Sequence, residues 1–171
     1  MRINTLDQAQ GSASNSDLEI CIAADGPGGS DTELLLRATI TPVCAPGLLR
    51  RRDRPRVPED LLEYELIHVL GYEDGWHRWF RRNGVRESRV PDGLALDGSL
   101  IAIEAAQRGE GVMLGRRPFI DRYLESGDLV EVFTEPWHLI AEYYLRRSRR
   151  GVKRREVERV ADWLHRLASR E

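Results

Sequence analysis

The side chains of this sequence that could do chemistry are its histidines, its cysteines and two short glycine-rich stretches. Four histidines occur in the chain: His68, His77, His138 and His165. Their spacing matches no metal-binding motif such as HExxH. The cysteines Cys21 and Cys44 form no CxxC pair and lie in apolar runs, where cysteine usually behaves as a small hydrophobic residue. We therefore expect no metal site, and two reduced cysteines in the core.

The motifs of enzyme active sites are missing from the sequence as well. The chain has no GxSxG elbow, no Walker loop and no cysteine paired with a plausible base. The stretches GPGG at 26–29 and GEG at 109–111 could each hold a phosphate group, but neither stands in a nucleotide-binding fingerprint. Both are interpreted as turns. The sequence supports no catalytic residue, no cofactor and no enzymatic activity.

The most basic stretch of the chain is RRSRRGVKRR at 146–155, which could contact nucleic-acid phosphates. The whole chain has a formal net charge of −2, and no aromatic residues or recognition motif accompany the run. We favour a solvated loop that leads into a helix.

The composition is that of an ordinary globular protein. At 171 residues, 41% hydrophobic and 32% charged, the chain can form one domain, or two small lobes that share a core. No apolar run approaches the roughly 18 residues of a membrane span, and the N-terminus lacks the apolar core of a secretory signal. We expect a cytoplasmic protein that has no contact with a membrane.

Strand and helix signals alternate along the chain, which favours an α/β sheet with helices packed on its faces. Strands are predicted over 17–25, 34–46, 66–72, 112–114, 129–133 and 139–145. Helices are predicted from Pro58 through Leu62, over 76–84, after residue 97, from Pro118 and over the last residues. Gly84, Gly109 and Gly127 are expected to end three of these helices.

Three of the predicted helices carry apolar faces. Trp76, Trp79 and Phe80 share one face, where core packing is favoured over stacking on a ligand. The helix after residue 97 is expected to be capped by Asp97 or Ser99, with an apolar face of Leu100, Ile103 and Ala106. The last helix has an apolar stripe of Val157, Val160, Ala161, Leu164, Leu167 and Ala168.

An ordered set of stretches in this chain resembles the effector-binding domain of LysR-type transcriptional regulators, especially the subgroup like the glycine-cleavage activator. The set is DLEICIA, ITPVCAPGLL, LIHVLGYEDGWHRWF, LIAIEAAQRGEGVMLGRRPFIDRYLESGDLVEVF, YYL and VERVADWL. The stretches cover most of residues 17–168. Their order makes the resemblance specific.

The resemblance implies a periplasmic-binding-protein-like α/β fold, in which two subdomains are joined by two crossover strands. The first subdomain would comprise about 1–43 and 141–171, and the second about 44–140. Crossovers would lie near 40–44 and 140–146. The family's effector domains begin with a strand and a helix upstream of the position matched by MRINTL, so we expect an incomplete first subdomain.

The same resemblance implies a function in transcription regulation. A small effector would bind in the cleft between the subdomains, and the change would pass to a helix-turn-helix that no stretch before Asp17 supplies. The ligand-binding candidates are Asp25, Thr41, Gly98, Ser99 and Leu100. Ser99 and the amides at its helix start favour an anionic ligand, although a plain helix cap is the alternative for Ser99.

Partners follow from the same resemblance. The intact regulator would be a homo-oligomer and would contact DNA only through an N-terminal domain. The alternative function is a stand-alone small-molecule binding module, or a DNA-binding-deficient partner of full-length regulators.

Overall fold

The computed structural model of the 171-residue chain describes residues 3–5, 16–23, 31–51, 54–70, 75–86, 90–134, 139–148 and 155–169. The strands in chain order are β1 (Ile3–Thr5), β2 (Leu18–Ala23), β3 (Thr32–Cys44), β4 (Leu66–Val69), β5 (Leu94–Leu96), β6 (Val112–Arg117), β7 (Val130–Glu131) and β8 (Leu139–Arg147). The α-helices are α1 (Pro46–Arg51), α2 (Gly75–Arg82), α3 (Ser99–Gln107), α4 (Asp121–Glu125) and α5 (Arg155–Ala168), and a 3₁₀ helix spans Pro58–Glu63. The α/β class predicted from the sequence is confirmed.

The chain divides into two compact units. Unit 1 consists of Met1–Ala38 and Ile140–Glu171, and unit 2 is the continuous stretch Thr39–Leu139. The long strand β3 begins in unit 1 and ends in unit 2.

Unit 1 is a small sheet on which α5 packs. β1 runs parallel to β2, and β2 runs antiparallel to β8, with Leu18 opposite Arg147. Val157 and Ala161 of α5 are fully buried against Leu18 and Leu145 of the sheet. This apolar contact confirms most of the stripe predicted for the last helix. The prediction that Leu167 belongs to that stripe is wrong. It is 45% exposed, because it lies away from the helix face that carries Val157 and Ala161.

Unit 2 is a mixed sheet with the strand order β7–β3–β6–β4–β5. β4, β5 and β6 run parallel to one another, and β3 runs antiparallel to β6. Helix α3 packs on the sheet through Ala102, Ile103 and Ala106, which are buried with Val43 and Met113. The small side chains of the two alanines let the helix lie close to the strands. This contact positions the first turn of the helix at one edge of the sheet.

The prediction that Leu100 belongs to the apolar face of α3 is wrong. The side chain is 71% exposed, whereas Ile103 and Ala106 are buried as predicted. Leu100 lies in the first turn of the helix, which begins three residues after the end of the edge strand β5, so the sheet does not cover it.

Helix α2 has the buried aromatic face that the sequence predicts. Trp76, Trp79 and Phe80 are almost fully buried, and the indole Nε1 of Trp76 donates a hydrogen bond to the carbonyl of Ile67 at 3.0 Å. Gly84 follows the helix with a φ of 83°, which confirms it as the predicted stop.

Several short elements differ from the sequence-based expectation. The helix α1 and the edge strand β5 were not predicted, and the strand predicted over 129–133 is only Val130–Glu131. Pro118 does not begin a helix, because residues 118–120 form a turn and α4 starts at Asp121. These elements have between two and six residues, which is too short for hydrophobic periodicity to specify them.

The remaining expectations concern the cysteines and the histidines. Cys21 and Cys44 are free and buried, as predicted. Across the described ranges no group of three or more His, Cys, Asp or Glu side chains could hold a metal ion. In the same ranges, no helix has both the length and the apolar character needed to cross a bilayer.

Candidate functional site

The carboxyl ends of the three parallel strands of unit 2 lie at one edge of its sheet. β4 ends at Val69, β5 at Leu96 and β6 at Arg117. The antiparallel strand β3 brings Thr39 opposite Arg117, so the part of β3 that starts unit 2 lies at the same edge. Ligands of open α/β sheets bind at this kind of edge. We call it the carboxyl edge and define it by Thr41, Leu70, Gly98–Leu100 and Arg116–Phe119.

The first turn of α3 is the main polar feature of the carboxyl edge. Gly98 is the N-cap, with an extended backbone (φ −143°, ψ 135°), and its carbonyl accepts the N–H of Ala102 at 3.1 Å. The prediction that Asp97 or Ser99 caps this helix is therefore wrong, because the chain turns into the helix at Gly98 and no side chain hydrogen-bonds to the cap. The amides of Leu100 and Ile101 have no acceptor within the helix. This end of α3 also carries the partial positive charge of the helix dipole.

Thr41 lies on β3, directly opposite Gly115 of β6. It is only 8% exposed and is one of the few buried polar side chains in the described residues. Close packing fixes this part of the sheet, since a Cβ on Gly115 would lie 2.6 Å from Ile120 Cδ1 and 2.8 Å from Val43 Cγ2. Thr41 therefore lies opposite a closely packed glycine near the end of β6.

Apolar side chains are exposed around the same edge. Leu70 follows β4 and Phe119 follows β6, and like Leu100 each is more than half exposed. The amide of Leu70 donates to the carbonyl of Leu96 at 2.7 Å, which joins the ends of β4 and β5. Sequence reasoning missed Leu70 and Phe119 as site residues. The only signal that could have found them is their position directly after a strand.

Positive charge lies at the end of β6, where Arg116 and Arg117 are opposite Ile40 and Thr39 of β3. The Nε of Arg117 donates to Asp121 Oδ1 at 2.5 Å, and this hydrogen bond raises the pKa of the guanidinium. The negative charges of Asp121, Glu131 and Glu125 also raise the pKa of this guanidinium, so the end of β6 carries charges of both signs.

His68 lies one residue before the end of β4. Burial lowers its pKa, and a hydrogen bond to the backbone of Pro91 partly opposes that shift. Its Nε2 is buried and has no hydrogen-bond partner within the described residues. The ring is therefore held as a neutral imidazole near the carboxyl edge.

One of the predicted ligand-binding residues, Asp25, lies outside the described residues. The other four are all in unit 2. Gly98, Ser99 and Leu100 form the start of α3, and Thr41 lies on β3 near the end of β6. Their contact with a ligand stays a prediction.

The opposite end of α3 borders a surface cavity of about 330 Å³. Its walls include Ala45–Leu48, Gln107–Gly109, Gly127 and Asp128. The carbonyl end of α3 and the Asp128 carboxylate contribute negative charge to this cavity, and Arg108 and the start of α1 at Pro46 contribute positive charge. The guanidinium of Arg108 is already paired with Glu104 at 2.5 Å.

Comparison with known proteins gives consistent matches. A family model described as "LysR substrate binding domain" matches residues 2–169. The chain is 29% identical over 136 residues to the "Glycine cleavage system transcriptional activator" of Escherichia coli K12, covering 79% of this chain and 44% of the relative. It is 33% identical over 133 residues to the "Uncharacterized HTH-type transcriptional regulator y4mQ" of Sinorhizobium fredii, covering 74% of this chain and 42% of that protein.

Solved structures match as well. The effector domain of the regulator AmpR of Pseudomonas aeruginosa is similar with a TM-score of 0.68 and 26% identity, over 90% of this chain and 72% of that one. The AmpR effector binding domain of Citrobacter freundii is similar with a TM-score of 0.72 and 20% identity, over 99% and 98% of the two chains. The second likeness shows the fold alone.

Proposed function

The chain belongs to the LysR substrate-binding domain family, and we propose that it senses a small effector at the carboxyl edge of unit 2 for a LysR-type transcriptional regulator. Its fold is that of LysR effector domains, a periplasmic-binding-protein-like arrangement of two α/β subdomains. The observation that supports the site is the start of α3, whose cap carries no side-chain hydrogen bond and whose first turn lies beside the ends of three parallel strands.

The ligand we propose is a small anion. Backbone N–H groups at a helix start and the helix dipole both favour negative charge. Arg116 and Arg117 place two guanidinium groups at the end of β6, and that of Arg117 is paired with Asp121. Ser99 supplies a hydroxyl at the first helical position, and Thr41 supplies a second on β3. The exposed apolar side chains of this edge suit a ligand that carries a small hydrocarbon part.

The proposal also says which part of the intact regulator contacts DNA. The chain spans less than half the length of the curated relatives it matches, 44% for the glycine-cleavage activator. We place DNA recognition in a separate N-terminal domain of the intact, homo-oligomeric regulator. A ligand that binds one conformation of that regulator better than another shifts its conformational equilibrium.

The other functions considered have less support. Transcriptional regulators, not enzymes, are the relatives of this chain, which favours a non-catalytic role. A stand-alone binding module would bind the same ligand with the same residues, so the site does not distinguish the two functions. Membership of the LysR family favours the regulator. The cytoplasmic location and the subdomain borders at 43/44 and 140/141 stay predictions.

Thermal unfolding of the purified chain with a panel of small carboxylates and phosphates tests the proposal. A true ligand raises the Tm in proportion to ln(1 + [L]/Kd). Ser99→Ala should weaken binding by about 10-fold to 100-fold, because a hydrogen bond to a charged group contributes about 1.5–3 kcal/mol.

The matched control for this experiment is Ser126→Ala. Ser126 follows α4 and its hydroxyl bonds to Asp128 at 2.8 Å, at the cavity end of unit 2. Binding that is equally tight in Ser99→Ala and in the wild type would exclude the Ser99 contact. Loss of binding in Ser126→Ala alone would move the site to the other end of α3.

A further inference from the structure

Helix α5 has an exposed lateral stripe that is separate from the face it packs on the sheet. The stripe consists of Glu156, Arg159, Trp163 and Arg166, with Leu167 at its border. Trp163 is 51% exposed and Leu167 is 45% exposed. The indole of tryptophan is the largest apolar side chain, so Trp163 gives this stripe apolar area that a partner can bury.

The two flanks of α5 differ in how they are used. On one flank, Glu158 Oε1 lies 3.5 Å from Arg147 Nε, and His165 Nε2 lies 2.7 Å from Glu33 Oε1, so this flank holds the helix on its sheet. In the part of the chain that the structure describes, no ion pair engages Glu156, Arg159 or Arg166. Among the described residues, the charged groups of the stripe are therefore unpaired.

The spacing of the stripe is that of a helix–helix seam. Positions 156, 159, 163 and 166 follow one another at intervals of three, four and three residues, which is the a–d–a–d pattern of a heptad. When two identical helices pair antiparallel about a two-fold axis, residue i faces residue j and j faces i. Centred on residue 161, this arrangement puts Glu156 opposite Arg166 of the second copy, and Arg159 opposite Trp163 of the second copy.

We propose that the α5 stripe binds the same stripe of a second copy of this chain, in antiparallel orientation. Each seam then contains two Glu–Arg ion pairs and two contacts of an arginine with a tryptophan ring, a favourable cation–π geometry. The stripe is complementary to itself only in this orientation. A parallel pair would place Glu156 on Glu156 and Arg166 on Arg166. The inference does not depend on effector binding.

The self-association we expect is weak and sensitive to salt. A helix of 14 residues is about 21 Å long. Two such helices bury less than the roughly 1,200 Å² of a stable interface. The ion pairs are exposed, so screening weakens them at high ionic strength.

Sedimentation velocity of the full 171-residue chain, up to about 1 mM protein, detects such a dimer. Glu156→Arg puts two arginines opposite each other, and Arg166→Glu puts two glutamates opposite each other. Each single variant should therefore dimerise at least about tenfold more weakly than the wild type. Arg50→Glu, on the exposed surface of α1, is the control for a change of charge and should dimerise like the wild type.

The decisive measurement is made on an equimolar mixture of the two single variants. Glu156→Arg and Arg166→Glu are complementary to each other, so the equimolar mixture should form a heterodimer although neither variant pairs with itself. The double variant Glu156→Arg/Arg166→Glu in one chain should dimerise like the wild type. A monomeric wild type at 1 mM, or a mixture that stays monomeric, would overturn the proposal. So would single variants that dimerise as tightly as the wild type.

Discussion

Three glycines of unit 2, Gly93, Gly111 and Gly115, are required by close packing rather than by a turn. A Cβ on Gly111 would lie 2.5 Å from the carbonyl oxygen of Glu65, and one on Gly115 would lie 2.6 Å from Ile120 Cδ1. The backbone at Glu65 cannot withdraw without loss of the hydrogen bond that its carbonyl accepts from Val112 at 2.8 Å. Gly111 thus fixes the start of β6 against the start of β4.

Gly111→Ala should destabilise the protein by about 1–3 kcal/mol, the usual cost of overpacking. Chemical denaturation followed by circular dichroism measures the free energy of unfolding. The control is Gly47→Ala in α1, where a Cβ meets no atom within 4 Å and alanine favours the helix. Equal stability of the two variants would show that the Glu65 carbonyl does not limit the space at Gly111.

The buried hydrogen bond of Trp76 is a second test at the scale of a residue. Trp76→Phe keeps an aromatic ring in the cluster with Trp79 and Phe80 but removes the hydrogen bond that the indole donates to the carbonyl of Ile67. Loss of this hydrogen bond and of part of the buried indole together cost about 1–3 kcal/mol. We expect a loss of that size in the free energy of unfolding, measured in urea. Trp163→Phe, on the exposed stripe of α5, should change the stability little.

At the scale of elements, α5 is held on the sheet by apolar packing and by a charged cluster. The carboxylate of Glu33 on β3 accepts from Arg147 of β8 at 2.8 Å and pairs with His165 of α5 at 2.7 Å. Burial opposes ionisation of Glu33, but the hydrogen bonds from His165 and Arg147 outweigh it and hold the pKa below the ordinary value of 4.5.

This lowered pKa predicts how stability depends on pH. A carboxyl whose folded pKa lies below its unfolded pKa stabilises the fold above the unfolded value, and the contribution disappears as pH falls through the folded value. Glu33→Gln should therefore be less stable than the wild type at pH 7, and the difference should shrink as the pH falls below 4.5 and through the lowered folded pKa. Thermal unfolding between pH 7 and pH 3 measures it. A difference that stays constant over this range would contradict the role of Glu33, and Glu59→Gln serves as the exposed control.

The long and strongly patterned elements could be predicted from the sequence. The aromatic face of α2, the buried residues of α5 and the left-handed Gly109 follow from periodicity and from helix-end chemistry. The edge strand β5 could not be predicted, because three residues of which two are exposed show no alternation. The exposure of Leu100 depends on where the sheet ends, which is a property of the tertiary structure.

The candidate site was only partly predictable for the same reason. The start of α3 is visible in the sequence as a small polar stretch before an apolar run. Leu70 and Phe119 join it only because β4, β5 and β6 are parallel and end at one edge. Gly111 is required because the backbone of Glu65 lies close to it in the fold. Glu65 is 46 positions away in the chain, so no local sequence pattern indicates this contact.

At the scale of the whole molecule, every described residue of the carboxyl edge lies in unit 2, which is a continuous stretch of chain. Unit 1 contains both chain ends and the stripe of α5. Effector binding and self-association are thus proposed for different units, so variants of one surface should leave the other unaffected. Glu156→Arg should bind effector like the wild type, and Ser99→Ala should dimerise like the wild type.

The central claim is that a small anion binds at the start of α3. Titration of the isotope-labelled chain with the carboxylate or phosphate that raises its Tm, followed by amide NMR, tests it most directly. We predict saturable shifts centred on the amides of Gly98–Ile101, with further shifts at Thr41 and Arg116. Saturable shifts confined to the cavity at Gln107–Gly109 and Asp128, with the first turn of α3 unchanged, would contradict the account.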